Sequence, residues 1–494
     1  MKRFDLAWLV AKRELVDQMR DWRILLPMII LTLFFPYLMN VAARFTVDYV
    51  NQFGAALIAE RLLPFLILIV GFFPVTVSLV VALEAFVGEK ERGTIEPLLS
   101  SPLKDWHLYI GKLLAGTIVP MTVSYIGIAI YMAGLWWQQI KLPALNFVLQ
   151  TLVLTLAQTV LMVSAAIVIS TQSTSVRAAN LLASFIVIPV ALLIQGESAM
   201  MFWGTSEILW VAVLGVSIMS ALLIRLGLVH FKRENLLGRE IDMLNLGWAW
   251  GVFWRQFTGP AADVSRDAQS RLGAFLINLA HWYRREVLGA LRQMMPAIVL
   301  TFLIGLGAAA ATYLYVDWSL PSTRLPAEVL RDAITAIRAF LIDDSPGGVS
   351  SATIFWHNLR AELLIMAVGL FSFGVLGLLL YIGNFGFIGG VLAATKLLGL
   401  SPAIVFLAGI LPHGLFELPS VILSSAGMLY IGVRLVTPFE DKSIGETLLI
   451  TLADFLKVFL GLCVPLLLVA SLVEINLTPR ILLAFLGQTL QIQP

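Results

Sequence analysis

Apolar residues in this chain are gathered into long unbroken runs separated by short polar breaks. A helix needs about 20 such residues to cross ~30 Å of hydrocarbon. In the first half the runs occupy residues 24–43, 62–86, 108–134, 146–170, 178–195 and 207–229; in the second half, 295–316, 360–383, 385–434 and 448–473. Outer-membrane strands would instead show ~10-residue segments alternating apolar and polar, so a barrel is excluded. The pattern predicts an all-α polytopic membrane protein with two helical transmembrane bundles, about six spans and then four to five. Residues 385–434 read in two ways, as two short crossings or a broken re-entrant pair, because Gly389, Gly390, Pro402, Gly409, Pro412 and Pro419 interrupt them. Irregular backbone at that depth needs shelter from lipid, so this stretch is expected to lie against protein. The longest polar break of the second half, 317–357, holds a possible short helix at 327–342.

Composition removes the soluble alternative. Of 494 residues, 59% are hydrophobic and 13% charged, and the mean hydropathy is +0.90; soluble domains carry about 25% charged residues. The lone Cys463 sits in an apolar run, which excludes an intramolecular disulfide and reads as a small lipid- or helix-facing residue. The N-terminal segment, with Lys2, Arg3, Lys12, Arg13, Arg20 and Arg23, is too long and too charged for a cleaved signal peptide. Lys and Arg concentrate there, in 90–112, at Arg177 and in 232–292, whereas 135–145 and 196–206 have almost none. The positive-inside rule then predicts a cytoplasmic N-terminus and places 317–357 outside. Residues 236–292 mix basic residues with Trp248, Trp250, Trp254, Trp282 and Tyr283, as helices lying among lipid headgroups do. They are expected to form an amphipathic cytoplasmic linker between a domain at 1–235 and another at 293–494. The same setting argues against a nucleic-acid surface.

Between the second and third spans runs Gly88-Glu89-Lys90-Glu91-Arg92-Gly93-Thr94-Ile95-Glu96-Pro97-Leu98-Leu99-Ser100-Ser101-Pro102, followed by Trp106 and Gly111-Lys112. This segment, with Lys12-Arg13-Glu14-Leu15 and Arg20-Asp21 upstream, resembles the ABC-2 type transporter permeases over residues 1 to about 235. The resemblance implies an exporter permease in a prokaryotic cytoplasmic (inner) membrane, a separate ABC ATP-binding subunit, and a second permease copy or paralogue. It makes Glu89, Glu91, Arg92, Gly93, Thr94 and Glu96 candidates for an ATPase-coupling loop spanning 86–107. As a lever, that loop offers Glu89, Glu91 and Glu96 as anchors and Gly93 and Pro97 as turn boundaries. The plain alternative is a solvated charged loop. A P-loop requires G-x-x-x-x-G-K-[ST] so that backbone amides cradle the phosphates; Gly111-Lys112-Leu113 lacks both the upstream glycine and the hydroxyl. ATP and magnesium would therefore belong to the partner, and no cofactor is expected in this chain.

From about residue 280 the chain resembles the stage II sporulation protein M family, through Asn384, Gly389-Gly390 and Leu411-Pro412-His413-Gly414-Leu415-Phe416-Glu417-Leu418-Pro419. His413 and Glu417, four apart, share a helix face. Ionisable groups in an apolar stretch are functional-site hypotheses by default. Three readings compete: a His–Glu pair, with Asn384, that locks a broken helix; a cavity for substrate or protons; and an intramembrane metal hydrolase. A catalytic zinc wants three protein ligands, and the sequence offers two here. Asp454 and Lys457, three apart, can pair on one face. Arg284-Arg285-Glu286-Val287 with Arg292 repeats the spacing of Lys12-Arg13-Glu14-Leu15 with Arg20, which suggests two interfacial elbow helices. The chain is expected to be no enzyme itself, and a non-transporting scaffold is the alternative to the exporter.

Overall fold

The computed structural model describes residues 3–53, 56–94, 100–173, 175–203, 209–231, 246–259, 271–319, 350–397, 400–437, 439 and 442–490. Glu96, the helix expected at 327–342, and linker residues 232–245 and 260–270 lie outside the described residues. The chain divides into two units, Met1–Leu244 and Asn245–Pro494. Nine helices among the described residues are long and apolar enough to cross a membrane.

The first unit opens with α1 (Arg3–Arg20), an amphipathic helix, and continues with six long ones: α2 (Trp22–Phe53), α3 (Ala56–Glu91), α4 (Asp105–Trp137), α5 (Leu145–Gln172), α6 (Val176–Trp203) and α7 (Leu209–His230). These six coincide with the six apolar runs. Around α3 pack α2, α4, α5 and α6, while α1 lies against α4. Lipid tails are as apolar as leucine, so close backbone approach and interhelical hydrogen bonds must hold such helices together. Small residues permit that approach: a Cβ on Gly71 would stand 2.7 Å from Thr155 Oγ1, and one on Gly111 would stand 2.6 Å from Val10 Cβ. Leu33, Phe34, Leu214 and Ile218 face outward, an apolar exterior suited to hydrocarbon.

The second unit holds α8 (Leu246–Thr258) and α9 (Arg271–Trp282), the latter running through a π-helical turn, Tyr283–Val287, into α10 (Leu288–Ser319). Then come α11 (Ser351–Phe371), α12 (Val375–Leu397), α13 (Pro402–Val436), α14 (Ile444–Asn476) and α15 (Thr478–Leu490). Residues 385–434 thus fall on two full-length helices, α12 and α13. A π-helical stretch, Val405–Ile410, stands where glycines and Pro412 weaken the α-helical ladder. Residues 246–258 and 271–287, assigned in the sequence to a connector, carry helices of the second unit: α8 packs on α14, and Trp282 Nε1 donates to the Phe257 carbonyl at 2.9 Å.

One expected crossing is corrected. Residues 360–383 hold a turn at Ser372–Gly374 between α11 and α12. Hydropathy cannot see it, because Phe371-Ser372-Phe373-Gly374 reads as continuous apolar sequence. Three local devices make the turn: Gly374 at φ +86°, Phe373 at φ +54°, and Ser372 Oγ accepting from the Leu376 amide at 3.0 Å. A Cβ on Gly374 would also stand 2.7 Å from the Met428 carbonyl oxygen of α13. Gly374→Ala is therefore expected to destabilise the second unit by at least about 1–2 kcal/mol through left-handed strain alone. Gly383→Ala, at a position with nothing within 4 Å, serves as the control. Comparing thermal midpoints of the purified proteins in one detergent checks this.

Candidate functional site

Lys112, in the first turns of α4, has a side chain 1% exposed. Its Nζ donates to Glu14 Oε1 of α1 at 3.0 Å, to Glu89 Oε1 of α3 at 3.0 Å, and to the Ala85 carbonyl at 2.7 Å. The Phe86 ring centroid lies 5.0 Å away. All three ammonium protons are thereby satisfied, as a buried lysine requires. Gly111 beside it lets α1 approach α4 so closely that a Cβ would stand 2.9 Å from the Ala7 carbonyl oxygen.

The same end of α3 is tied to two more helices. Lys90 Nζ donates to the Thr171 and Ser173 carbonyls at 3.2 and 3.0 Å, satisfying the C-terminal end of α5. Glu91 Oε1 accepts from the Val176 amide at 2.8 Å, at the N-terminus of α6. Gly93, at φ +68°, closes α3 with a Schellman motif: the Thr94 amide donates to the Glu89 carbonyl at 2.9 Å and the Gly93 amide to the Lys90 carbonyl at 3.1 Å. Beyond this node Glu91, Arg92, Gly93 and Thr94 are exposed. Arg92 stands 3.9 Å from Glu84, and both side chains are largely exposed, so that ion pair contributes little. Glu89, grouped in the sequence with the outward anchors, points inward to Lys112. Glu91 is shared between a helix cap and solvent.

The second unit repeats the device. Lys457 Nζ, with its side chain 2% exposed, donates to Glu286 Oε2 at 2.9 Å and Asp454 Oδ1 at 3.0 Å. Asp454 Oδ1 also accepts from Gln256 Nε2 of α8 at 2.8 Å. The expected Asp454–Lys457 pair is present, extended by the glutamate that the spacing echo aligns with Glu14. In both units a glutamate from the basic elbow segment and a second carboxylate enclose one buried lysine. That common role was not legible in sequence, because the lysines lie 98 and 171 residues from those glutamates.

His413 and Glu417 share a face of α13, and Glu474 of α14 joins them; one ligand atom from each lies within 4.8 Å of the others. His413 Nδ1 stands 3.2 Å from Thr478 Oγ1. Asn384 is exposed on α12. Cys463 is buried among helices, its carbonyl accepting from Ser420 Oγ at 3.3 Å. Glu197, two residues beyond the apolar run 178–195, is buried in α6 and accepts from Gln158 Nε2 at 2.6 Å. Its signal was the isolated carboxylate of Gln195-Gly196-Glu197-Ser198 at the edge of an apolar run.

These two helical bundles define a multi-pass membrane protein. Residues 8–209 match the ABC-2 family transporter protein family, and residues 296–479 match stage II sporulation protein M. Over 129 residues the chain is 31% identical to an uncharacterized protein of Methanocaldococcus jannaschii, covering 26% of this chain and 71% of that relative. The chain shares that relative's family, and it joins an ABC-2 transporter domain to a stage II sporulation protein M domain. A permease role for the first unit follows from its domain.

Removing the ammonium strands two carboxylates at a helix junction. Lys112→Met is expected to cost about 3 kcal/mol, read as a lower thermal midpoint and as faster proteolysis at the α1–α2 junction. Burial holds the Glu89 carboxyl above its ordinary value of 4.5, and the Lys112 charge opposes that rise without cancelling it. The folded chain then keeps a proton that the unfolded chain has released, so the contribution of Glu89 to stability is full below 4.5 and declines as pH climbs above it. Glu89→Gln is accordingly expected to raise the thermal midpoint in mildly alkaline buffer and to lose that advantage below 4.5.

Proposed function

We propose that this chain is the transmembrane permease subunit of an ATP-driven ABC exporter, coupled through residues 86–107 to a separate ATP-binding subunit. The observation that carries the reading is the node behind the exposed tip. Glu91, Arg92, Gly93 and Thr94 project from a helix end tied to α1, α4, α5 and α6. An ATPase that closes two soluble domains must push on something that does not yield locally. Here a force on the tip is passed to four helices at once.

The concentration of Lys and Arg at this end supports a cytoplasmic setting for it and for the N-terminus, and the membrane of this proposal is the prokaryotic inner membrane. A second copy or paralogue would complete the pathway, and ATP and magnesium would bind to the partner. The stage II sporulation protein M domain favours a second reading, a scaffold whose permease-like half is a binding platform without transport.

One double variant separates the two readings. Glu91→Gln preserves the oxygen that caps α6, and Arg92→Glu reverses the charge of the tip. Together they are expected to leave membrane insertion and thermal stability unchanged while lowering co-purification of the ATP-binding subunit and transport-coupled ATP hydrolysis by about tenfold or more, the loss of about 1.4 kcal/mol of docking energy. Unchanged coupled hydrolysis refutes docking at this tip. Capture of the ATPase with no substrate-dependent hydrolysis in either protein favours the scaffold.

A further inference from the structure

The polar group in the second unit contains what the sequence lacked for metal chemistry, a third donor. His413 and Glu417 come from one face of α13 just after its π-helical stretch, and Glu474 comes from the end of α14. We propose that His413, Glu417 and Glu474 form a binding site for a divalent transition-metal ion of the zinc type, held by three protein ligands with its remaining position open to a cavity.

Geometry is the first support. Ligand atoms around one tetrahedral zinc stand about 3–3.5 Å apart, given bonds of about 2.0–2.2 Å. The present atoms lie within 4.8 Å of one another, so binding requires them to draw together by about 1 Å.

Tautomer is the second. With its proton directed to the Val473 carbonyl, 3.3 Å away, Thr478 Oγ1 accepts from His413 Nδ1 at 3.2 Å, the arrangement this proposal adopts. That puts the imidazole proton on Nδ1 and leaves Nε2 with its lone pair free for a cation. A hydroxyl or carboxylate behind a ligating histidine is the usual arrangement at protein metal sites.

Charge is the third. Glu417 lies within Coulombic range of Glu474 and Glu362, and Glu474 is within range of His357. Glu362 is engaged by Ser424, whose Oγ donates at 2.7 Å. Among the described residues no lysine or arginine forms a salt bridge with any of these carboxylates. Carboxylates in an apolar bundle are costly unless neutralised, and one divalent ion balances the two ligating glutamates.

The open side is the fourth. A cavity of about 250 Å³ adjoins His413 and Glu417 and is walled by Phe387, Val391, Ile410 and Leu418. Structural zinc sites are closed by four protein ligands, whereas three ligands facing a cavity leave a position for water or another small oxygen donor.

The test uses the full chain purified in detergent, stripped with a chelator, and titrated separately with Zn²⁺ and Mg²⁺. Bound metal is read by mass spectrometry after gel filtration, and the ligand environment by X-ray absorption. Wild type is expected to retain about one zinc per chain with mixed nitrogen and oxygen ligation, and to bind magnesium far more weakly because an imidazole donor suits the softer ion. His413→Ala and Glu474→Gln should each lower zinc affinity at least tenfold, and Thr478→Ala by roughly tenfold through loss of histidine orientation. Glu474→Asp keeps the charge and must still weaken zinc binding while eluting as wild type, so a folding defect cannot account for the result. Glu197→Gln, in the other unit, should change nothing. Failure of wild type to retain zinc overturns the site and leaves the group to proton handling. Equal zinc in the His413→Ala, Glu474→Gln double variant overturns it as well. Neither result bears on the exporter reading, which rests on the first unit.

Discussion

An ammonium withdrawn from water at the end of a helical bundle has to find its counter-charges inside the protein, and this requirement organises both units. Lys112 meets it by drawing a glutamate from the interfacial helix and another from the longest helix of the first unit onto one nitrogen. Two carboxylates on one lysine leave a net negative node, relieved by the partial exposure of Glu14 and Glu89, at 19% and 16%. Losing the ammonium leaves both carboxylates uncompensated, which makes the junction sensitive at Lys112 in a way that apolar contacts between membrane helices are not.

Around that node the remaining polar groups serve the backbone. Lys90 satisfies the last carbonyls of α5, Glu91 the first amide of α6, and the left-handed Gly93 the end of α3 itself. Helix termini carry orphan groups that must be paired before they can be buried. Pairing them through residues on a single neighbouring helix ties all the ends together. The exposed tip beyond them therefore stands on a rigid base, the property a coupling element needs. Lys457 does comparable work in the second unit, where Glu286 and Asp454 hold the elbow segment and α8 against α14.

The His413 group obeys different electrostatics. Among the described residues it gathers carboxylates without a salt-bridged lysine or arginine, beside a cavity with apolar walls, in a helix whose ladder is already loosened by a π-helical stretch. The lysine nodes hold their cation within the protein and make structure. In the proposed metal site the carboxylate–imidazole cluster takes its neutralising charge from solution instead.

Hydropathy and charge placement alone determined that the chain is an all-α, two-bundle membrane protein, because the crossing length is set by the bilayer and not by partners. They also picked out His413, Glu417, Asp454 and Lys457 as ionisable residues within apolar runs, whereas Glu91 and Arg92 were singled out by the family resemblance of their loop. What they could not determine is which distant residues meet. The turn at Gly374 is invisible to hydropathy because its residues are as apolar as a span; it is a matter of backbone dihedral angles. The joining of Lys112 to Glu14 and of Glu474 to His413 depends on helices separated by many residues coming into register. Spacing within one helix reports a shared face, whereas only the packing of several helices decides what that face touches.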